Sequence, residues 1–230
     1  MKNWLSNSKM AKLNVANKVR RSAVNGPGER YVIWVQGCSL NCKGCMNQAF
    51  MVHEPRELIP VETLYEQIMD TSGIEGVTYS GGEPFEQAEG LFFLSGLLKE
   101  SGTSIVCYTG YRYPELAESG DPYILGLLSQ IDILIDGRYE ESLSEPLLWR
   151  GSRNQSVLFL SDRYKEYRHQ ASDEILQMEV EVRSEGLTFI GNMDNEIVSV
   201  IAKLLKKDYG IVLDPTGDEG SNLIAQTQID

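Results

Sequence analysis

Tyr31-Val-Ile-Trp-Val35 runs into the loop Gly37-Cys-Ser-Leu-Asn-Cys-Lys-Gly-Cys45, so a short apolar run delivers three cysteines ahead of a helical stretch. A continuous apolar run of this length, closed by glycine, reads as a strand buried on both faces. Three thiolates on one loop can hold three irons of a cubane iron-sulfur cluster and leave the fourth without a protein ligand, which makes it a chemical site. Zinc is the competing reading, because Cys42-x2-Cys45 is spaced as half a zinc knuckle and a structural zinc takes four closed ligands. The fourth would have to come from Cys107, inside a strand-like run, or from His53, and neither belongs to a second ligand pair. A disulfide is disfavoured, since no secretory marker accompanies the cysteines.

The order strand, loop, helix then recurs. Gly76-Val-Thr-Tyr79 ends in Ser80-Gly-Gly-Glu-Pro84, and a helical pattern begins near Gln87. Two glycines at a strand's carboxyl end let the backbone approach a ligand closely, and Glu83 offers an acceptor for an ammonium group. Alone this turn is ordinary loop chemistry. Around it, periodicity predicts strands at 30–36, 76–80, 104–109, 131–135 and near 157–160, with helices at 61–71, 87–100, 114–118 and 121–129. Apolar strands separated by amphipathic helices imply a buried parallel sheet.

Together these residues resemble the radical S-adenosylmethionine (SAM) superfamily, whose Cys-x3-Cys-x2-Cys loop and Gly-Gly-Glu-Pro turn occur in this order and at about this separation. Within it, the chain is most similar to the single-cluster activating enzymes of anaerobic ribonucleotide reductase. That closer resemblance rests on Asn25-Gly-Pro-Gly28 with Arg30, Gly44-Cys45 followed by Asn47, Thr109-Gly-Tyr111, Asp132-Ile-Leu-Ile-Asp-Gly137, and Trp149-Arg-Gly-Ser152 with Asn154-Gln155. It spans about residues 25–160. Met46 departs from the pattern, standing where many relatives carry an aromatic residue, and Arg153 falls at a variable position.

The resemblance implies an incomplete α/β barrel of the TIM type with its site at the strands' carboxyl ends. It implies a [4Fe-4S] cluster on Cys38, Cys42 and Cys45, with S-adenosyl-L-methionine chelating the open iron and cleaved by one electron to a 5′-deoxyadenosyl radical. Gly81, Gly82, Glu83 and Pro84 match the turn that receives the methionine amino group. Asn47, Thr109 and Asp136 are further candidates for holding SAM or a nearby cation, although Thr109 and Asp136 could equally cap a helix or close a turn. A polypeptide substrate and a reduced flavodoxin- or ferredoxin-type electron donor follow from the same resemblance.

The 230 residues, 42% hydrophobic, suffice for one large core with an appended element, and the expected setting is cytoplasmic. A net charge of −12 argues against nucleic acid or an anionic membrane as partner, because both need basic neutralising contacts. Residues 1–24 nevertheless carry six basic side chains and no acid, which reads as a solvated arm or first strand, with docking to an acidic partner as an alternative. The partial barrel is expected over 25–160, a hairpin-plus-helix extension over 161–213, and a mobile tail over 214–230. In the extension, Met178–Val182 and Leu187–Ile190 alternate as a hairpin, and Ile197, Val198, Ile201, Leu204 and Leu205 fall at helical spacing, an apolar stripe expected to pack onto the barrel, with Gly210 past its end. His169 and His53 are expected at the surface, Cys107 in the core, and Glu140 with Glu141 in a solvated turn.

Two polypeptide-directed readings stay open. One is installation of a glycyl radical on a large reductase subunit. The other is maturation of a ribosomally made precursor peptide, as in the spliceases, which excise part of a Tyr-Gly unit with a small accessory protein. The extension favours the second, since it could offer an edge strand or an accessory face, and the motif set favours the first. A non-catalytic iron-sulfur or zinc scaffold, closed by a fourth protein ligand, is the reading of another class.

Overall fold

In the computed structural model, which describes residues 11–170 together with 173–175, 177–183, 186–191, 200–201, 203–207, 212–214 and 224–226, the two motifs end neighbouring strands. β1 (Lys12–Ser22) and β2 (Arg30–Val35) pair antiparallel, and β3 (Glu57–Pro60) borders β1. β4 (Gly76–Gly81), β5 (Ser104–Thr109) and β6 (Ile133–Asp136) continue the sheet parallel to β2. A hairpin of β7 (Ser144–Leu147) and β8 (Arg150–Ser152) precedes β9 (Ser156–Phe159), giving a seven-stranded order β3-β1-β2-β4-β5-β6-β9. The sheet is open, and its parallel centre makes it the incomplete α/β barrel expected. β9 differs from the expected parallel array by running antiparallel to β6, because a parallel return needs a crossover helix and this connection holds the β7–β8 hairpin instead.

The crossovers are α1 (Val61–Met69), α2 (Ala88–Glu100), α3 (Tyr113–Ala117) and α4 (Pro122–Leu128). Val61, Leu64 and Ile68 recur along one face of α1 and are fully buried against the sheet, each stabilising by about 1.5–3 kcal/mol. Asp121 fixes the start of α4 by accepting from the backbone N–H groups of Tyr123 (2.7 Å) and Ile124 (3.2 Å), with Pro122 in the first turn. Cys107 lies in this core and His169 at the surface, as do Glu140 and Glu141.

At the amino end of the parallel strands, Arg30 is completely buried among neutral partners. Its Nε donates to Thr78 Oγ1 (2.7 Å), Nη1 to Pro27 O (3.1 Å) and Ser104 Oγ (3.1 Å), and Nη2 to Val77 O (2.8 Å) and Ser104 O (3.2 Å). Burial pulls its pKa down, with Tyr164 opposing the shift. The guanidinium fork joins β2, β4 and β5 at the end remote from the cysteine loop.

Beyond β9, β10 (Met178–Arg183) and β11 (Gly186–Gly191) form the expected hairpin. The helix expected around Ile197 to Leu205 is helical at 200–201 and 203–207, and its remainder, like Gly210, lies outside the described residues. Its apolar stripe does not pack as expected at Leu204, which is 51% exposed, while Ile201 and Leu205 are half-buried. Within the stretch read as a mobile tail, β13 (Ile224–Gln226) pairs antiparallel with β12 (Val212–Asp214). No helix among the described residues is long and apolar enough to cross a membrane.

Replacing Arg30 by Met keeps much of the volume and removes six buried hydrogen bonds, the sixth being the one from Nη1 to Tyr164 Oη (3.4 Å). A loss of about 2–4 kcal/mol is expected, read as a lower urea midpoint at unchanged slope.

Candidate functional site

The cysteine loop is pinned at its start by the chain that follows it: Gly37 N–H donates to Phe50 O (2.7 Å) and Cys38 N–H to Met51 O (3.0 Å). Asn41 (φ +50°) and Gly44 (φ +74°) each reverse the chain one residue before a cysteine, and these are residue types that enter the left-handed region at low cost. A side chain at position 44 would also press on the Glu141 carboxylate. As a result Cys38, Cys42 and Cys45, all free thiols, line one cavity of about 120 Å³.

The glycine turn forms the opposite wall. Gly82 N–H donates to Val35 O (2.7 Å) and Glu83 N–H to Gly37 O (2.8 Å), and any Cβ at Gly82 would collide with the Gly37 carbonyl oxygen. Glu83 is fully buried. Its Oε1 accepts from Thr109 Oγ1 (2.8 Å) and Phe85 N–H (3.0 Å), and its Oε2 from Gly110 N–H (2.9 Å). Burial raises its pKa to about 7 despite these three donors, which favour the ionised form. The carboxyl is therefore about half ionised near neutrality.

Gly81, Gly82, Glu83 and Thr109 all line the cavity, while Pro84 opens the 3-10 turn Pro84–Gln87 behind it. Asn47 faces an adjoining cavity and donates from Nδ2 to Gly81 O (3.3 Å). Asp136 sits on the same rim with both oxygens engaged, Oδ1 by Arg112 Nη1 (3.3 Å) and Oδ2 by Tyr113 N–H at the start of α3 (2.8 Å). That is the helix-capping alternative rather than a ligand pose.

Several supporting residues carried no motif. Gln87 Nε2 donates to both Asn14 O and Gln36 O (2.9 Å each), tying β1 and the end of β2 to the glycine turn. Glu86 accepts from Ser39 N–H and from His53 Nε2, both at 2.8 Å, so it braces the cysteine loop and fixes His53. The spacing of Glu83, Glu86 and Gln87 on one turn was the available signal. Tyr108, Tyr139 and Gln155 are also part of the lining.

Among the described residues, no three His, Cys, Asp or Glu side chains converge on a single ion. A cubane needs no such convergence, since each thiolate meets a different iron. The donor set fits that group: three thiols face one cavity, whereas Cys107 is buried in β5 and His53 is held by Glu86. Burial raises the pKa of Cys38 and Cys45, so loading iron releases protons.

A family described as 4Fe-4S single cluster domain matches residues 24–158. The chain is similar to the anaerobic ribonucleoside-triphosphate reductase-activating protein of Enterobacteria phage T4, 34% identical over 140 residues, or 58% of this chain and 86% of that protein. The proteins of the same name from Haemophilus influenzae and Escherichia coli K12 are 34% and 31% identical over 143 residues, each covering 58% of this chain and 90% of the relative. Among solved structures, QueE from Escherichia coli aligns with a TM-score of 0.40 at 17% identity, covering 47% of this chain and 57% of that one.

Glu83 predicts a pH slope for the cluster-free chain. Its folded pKa of about 7 exceeds the ordinary 4.5, so its share of stability is fully present below pH 4.5 and is lost as pH rises through 7. Relative to Glu83→Gln, the parent chain should lose on the order of 3 kcal/mol between these limits, measured by chemical denaturation across the range.

Proposed function

This chain belongs to the 4Fe-4S single cluster domain family, and on that premise we propose that it is a radical SAM enzyme that activates an anaerobic ribonucleotide reductase by installing a glycyl radical. The observation that carries this reading is the shared cavity, with three thiols on one wall and a buried, half-charged Glu83 on the other. Relatives that are themselves activating proteins, matched over nearly their whole length, support the choice of polypeptide.

Cys38, Cys42 and Cys45 would hold the [4Fe-4S] cluster, and Gly81, Gly82 and Glu83 would receive the methionine end of SAM. Bound there and reduced, the cluster would supply the one electron that splits SAM into methionine and a hydrogen-abstracting adenosyl fragment. The chain's own residues do the positioning. Thr109 and Gly110 fix both oxygens of Glu83, so an ammonium group meets a preset acceptor, and the cation in turn favours the ionised carboxylate. SAM affinity therefore rises as pH passes through about 7. Asn47 steadies the Gly81 carbonyl, and Asp136 holds Arg112 and α3 at the rim. Leu40, Met51 and Tyr108 give the cavity apolar walls, which exclude water from a reactive intermediate. The electron comes from a reduced flavodoxin- or ferredoxin-type donor.

The β10–β11 hairpin lies beyond the family match and favours a second reading, a splicease-like peptide maturase with an accessory protein. Anaerobic reconstitution with iron and sulfide, followed by dithionite and SAM, should yield 5′-deoxyadenosine that falls to background in Cys42→Ala. Bound zinc in place of iron, or equal product from both proteins, overturns the radical reading. A glycyl-radical signal on an added reductase subunit selects the first polypeptide reading; its absence beside modification of a Tyr-Gly precursor peptide selects the second.

A further inference from the structure

A second cavity, of about 150 Å³, adjoins the first, and the two share Cys45, Ser80, Tyr108, Tyr139 and Gln155 as a common wall. Its own lining is apolar and aromatic, with Trp34, Met46 and Trp149, interrupted by neutral polar groups such as Asn25, and it contains no charged side chain among the described residues. One side of it does not come from the barrel. Ile190 and Gly191, at the end of β11, close that side, although the family match stops at residue 158.

The placement of this wall is built rather than incidental. Ile190 is 3% exposed and packs into a cluster with Val19, Val32, Trp34 and Phe50, so it reaches the sheet and the segment after the cysteine loop. Gly191 adopts φ +109°, and a Cβ there would collide with Gln177 O and crowd Val24, so the strand end can lie against the barrel only as glycine. Glu179 Oε1 on the partner strand accepts from Ala23 N–H at 2.7 Å, latching the hairpin to the chain just beyond β1.

We infer that the β10–β11 hairpin is part of the substrate-reading surface, with Ile190 as a specificity-determining residue that limits this chamber to an uncharged polypeptide segment bearing a small side chain. The inference rests on the reading above that a polypeptide is the substrate. The chamber meets the cofactor cavity at Cys45 and Tyr108, so a residue seated in it lies beside the third cysteine of the loop. At about 30 Å³ per water-sized volume, it offers room for roughly five such volumes, enough for a backbone segment and a methyl-sized side chain. A charged side chain would be desolvated there without a partner.

The test uses the reconstituted full-length enzyme carrying 5-fluorotryptophan, because Trp34 and Trp149 both line the chamber and report occupancy by 19F resonance shifts. The probes are acetylated, amidated Gly-Gly-Gly and Gly-Leu-Gly tripeptides. The parent enzyme should bind the first, while Ile190→Ala should gain about tenfold for the Leu peptide and change by less than about twofold for the Gly peptide. Ile190→Val, which keeps the packing, should shift the ranking in the same direction by a smaller factor. An unchanged ranking in both variants, or no response at Trp34 and Trp149 to either peptide, overturns the inference. Release of 5′-deoxyadenosine without peptide, assayed in parallel, tests the chemistry separately. If it persists while the ranking is unmoved, the hairpin inference fails alone; if it is absent while the ranking moves, the radical reading fails and the chamber assignment stands.

Discussion

The site depends on a backbone contact that no side chain makes. Gly82 lies against the Gly37 carbonyl so closely that a methyl group would not fit, and the two hydrogen bonds beside it, Gly82 N–H to Val35 O and Glu83 N–H to Gly37 O, lock the end of β4 to the end of β2. The cysteine loop leaves from one side of this joint, and the Glu83 carboxyl is swung into the interior from the other. Any widening would move three thiols away from the buried Glu83 carboxyl and uncover its backbone donors. The parallel pairing of β2 with β4 sets the register that brings Val35 opposite Gly81, so the joint is a property of the sheet and not of the loops it carries.

Much of this was legible in the sequence because apolar runs of five or six residues ending in glycine leave few alternatives in an α/β chain. The central strands and helices α1 to α4 fall within about two residues of the periodicity reading. The exceptions have physical causes. β9 has the same apolar composition as the parallel strands, and direction is not encoded in composition; it follows from the length and content of the preceding connection. The stripe at 197–205 has helical spacing, yet spacing cannot say which positions find a partner, and Leu204 faces solvent.

In the site, residues that bear chemistry were readable and residues that hold them were not. Cysteines and a Gly-Gly-Glu-Pro turn announce themselves by type and spacing. Gln87 and Glu86 act through contacts to Asn14, Gln36, Ser39 and His53, which lie up to 73 positions away in the chain and become neighbours only once the sheet exists. Asp136 shows the converse. A carboxylate at a strand's carboxyl end looks like a ligand, and in the folded chain its oxygens fasten Arg112 and the first turn of α3.

The latch between Ala23 and Glu179 joins positions 156 residues apart. A polypeptide made from its amino terminus exposes the cysteine loop and the Glu83 turn well before Glu179 or Ile190 has been synthesised. Ile190 and Gly191 are thus made after every other residue that lines the chamber, which can be closed on that side only once the rest of its wall has been synthesised.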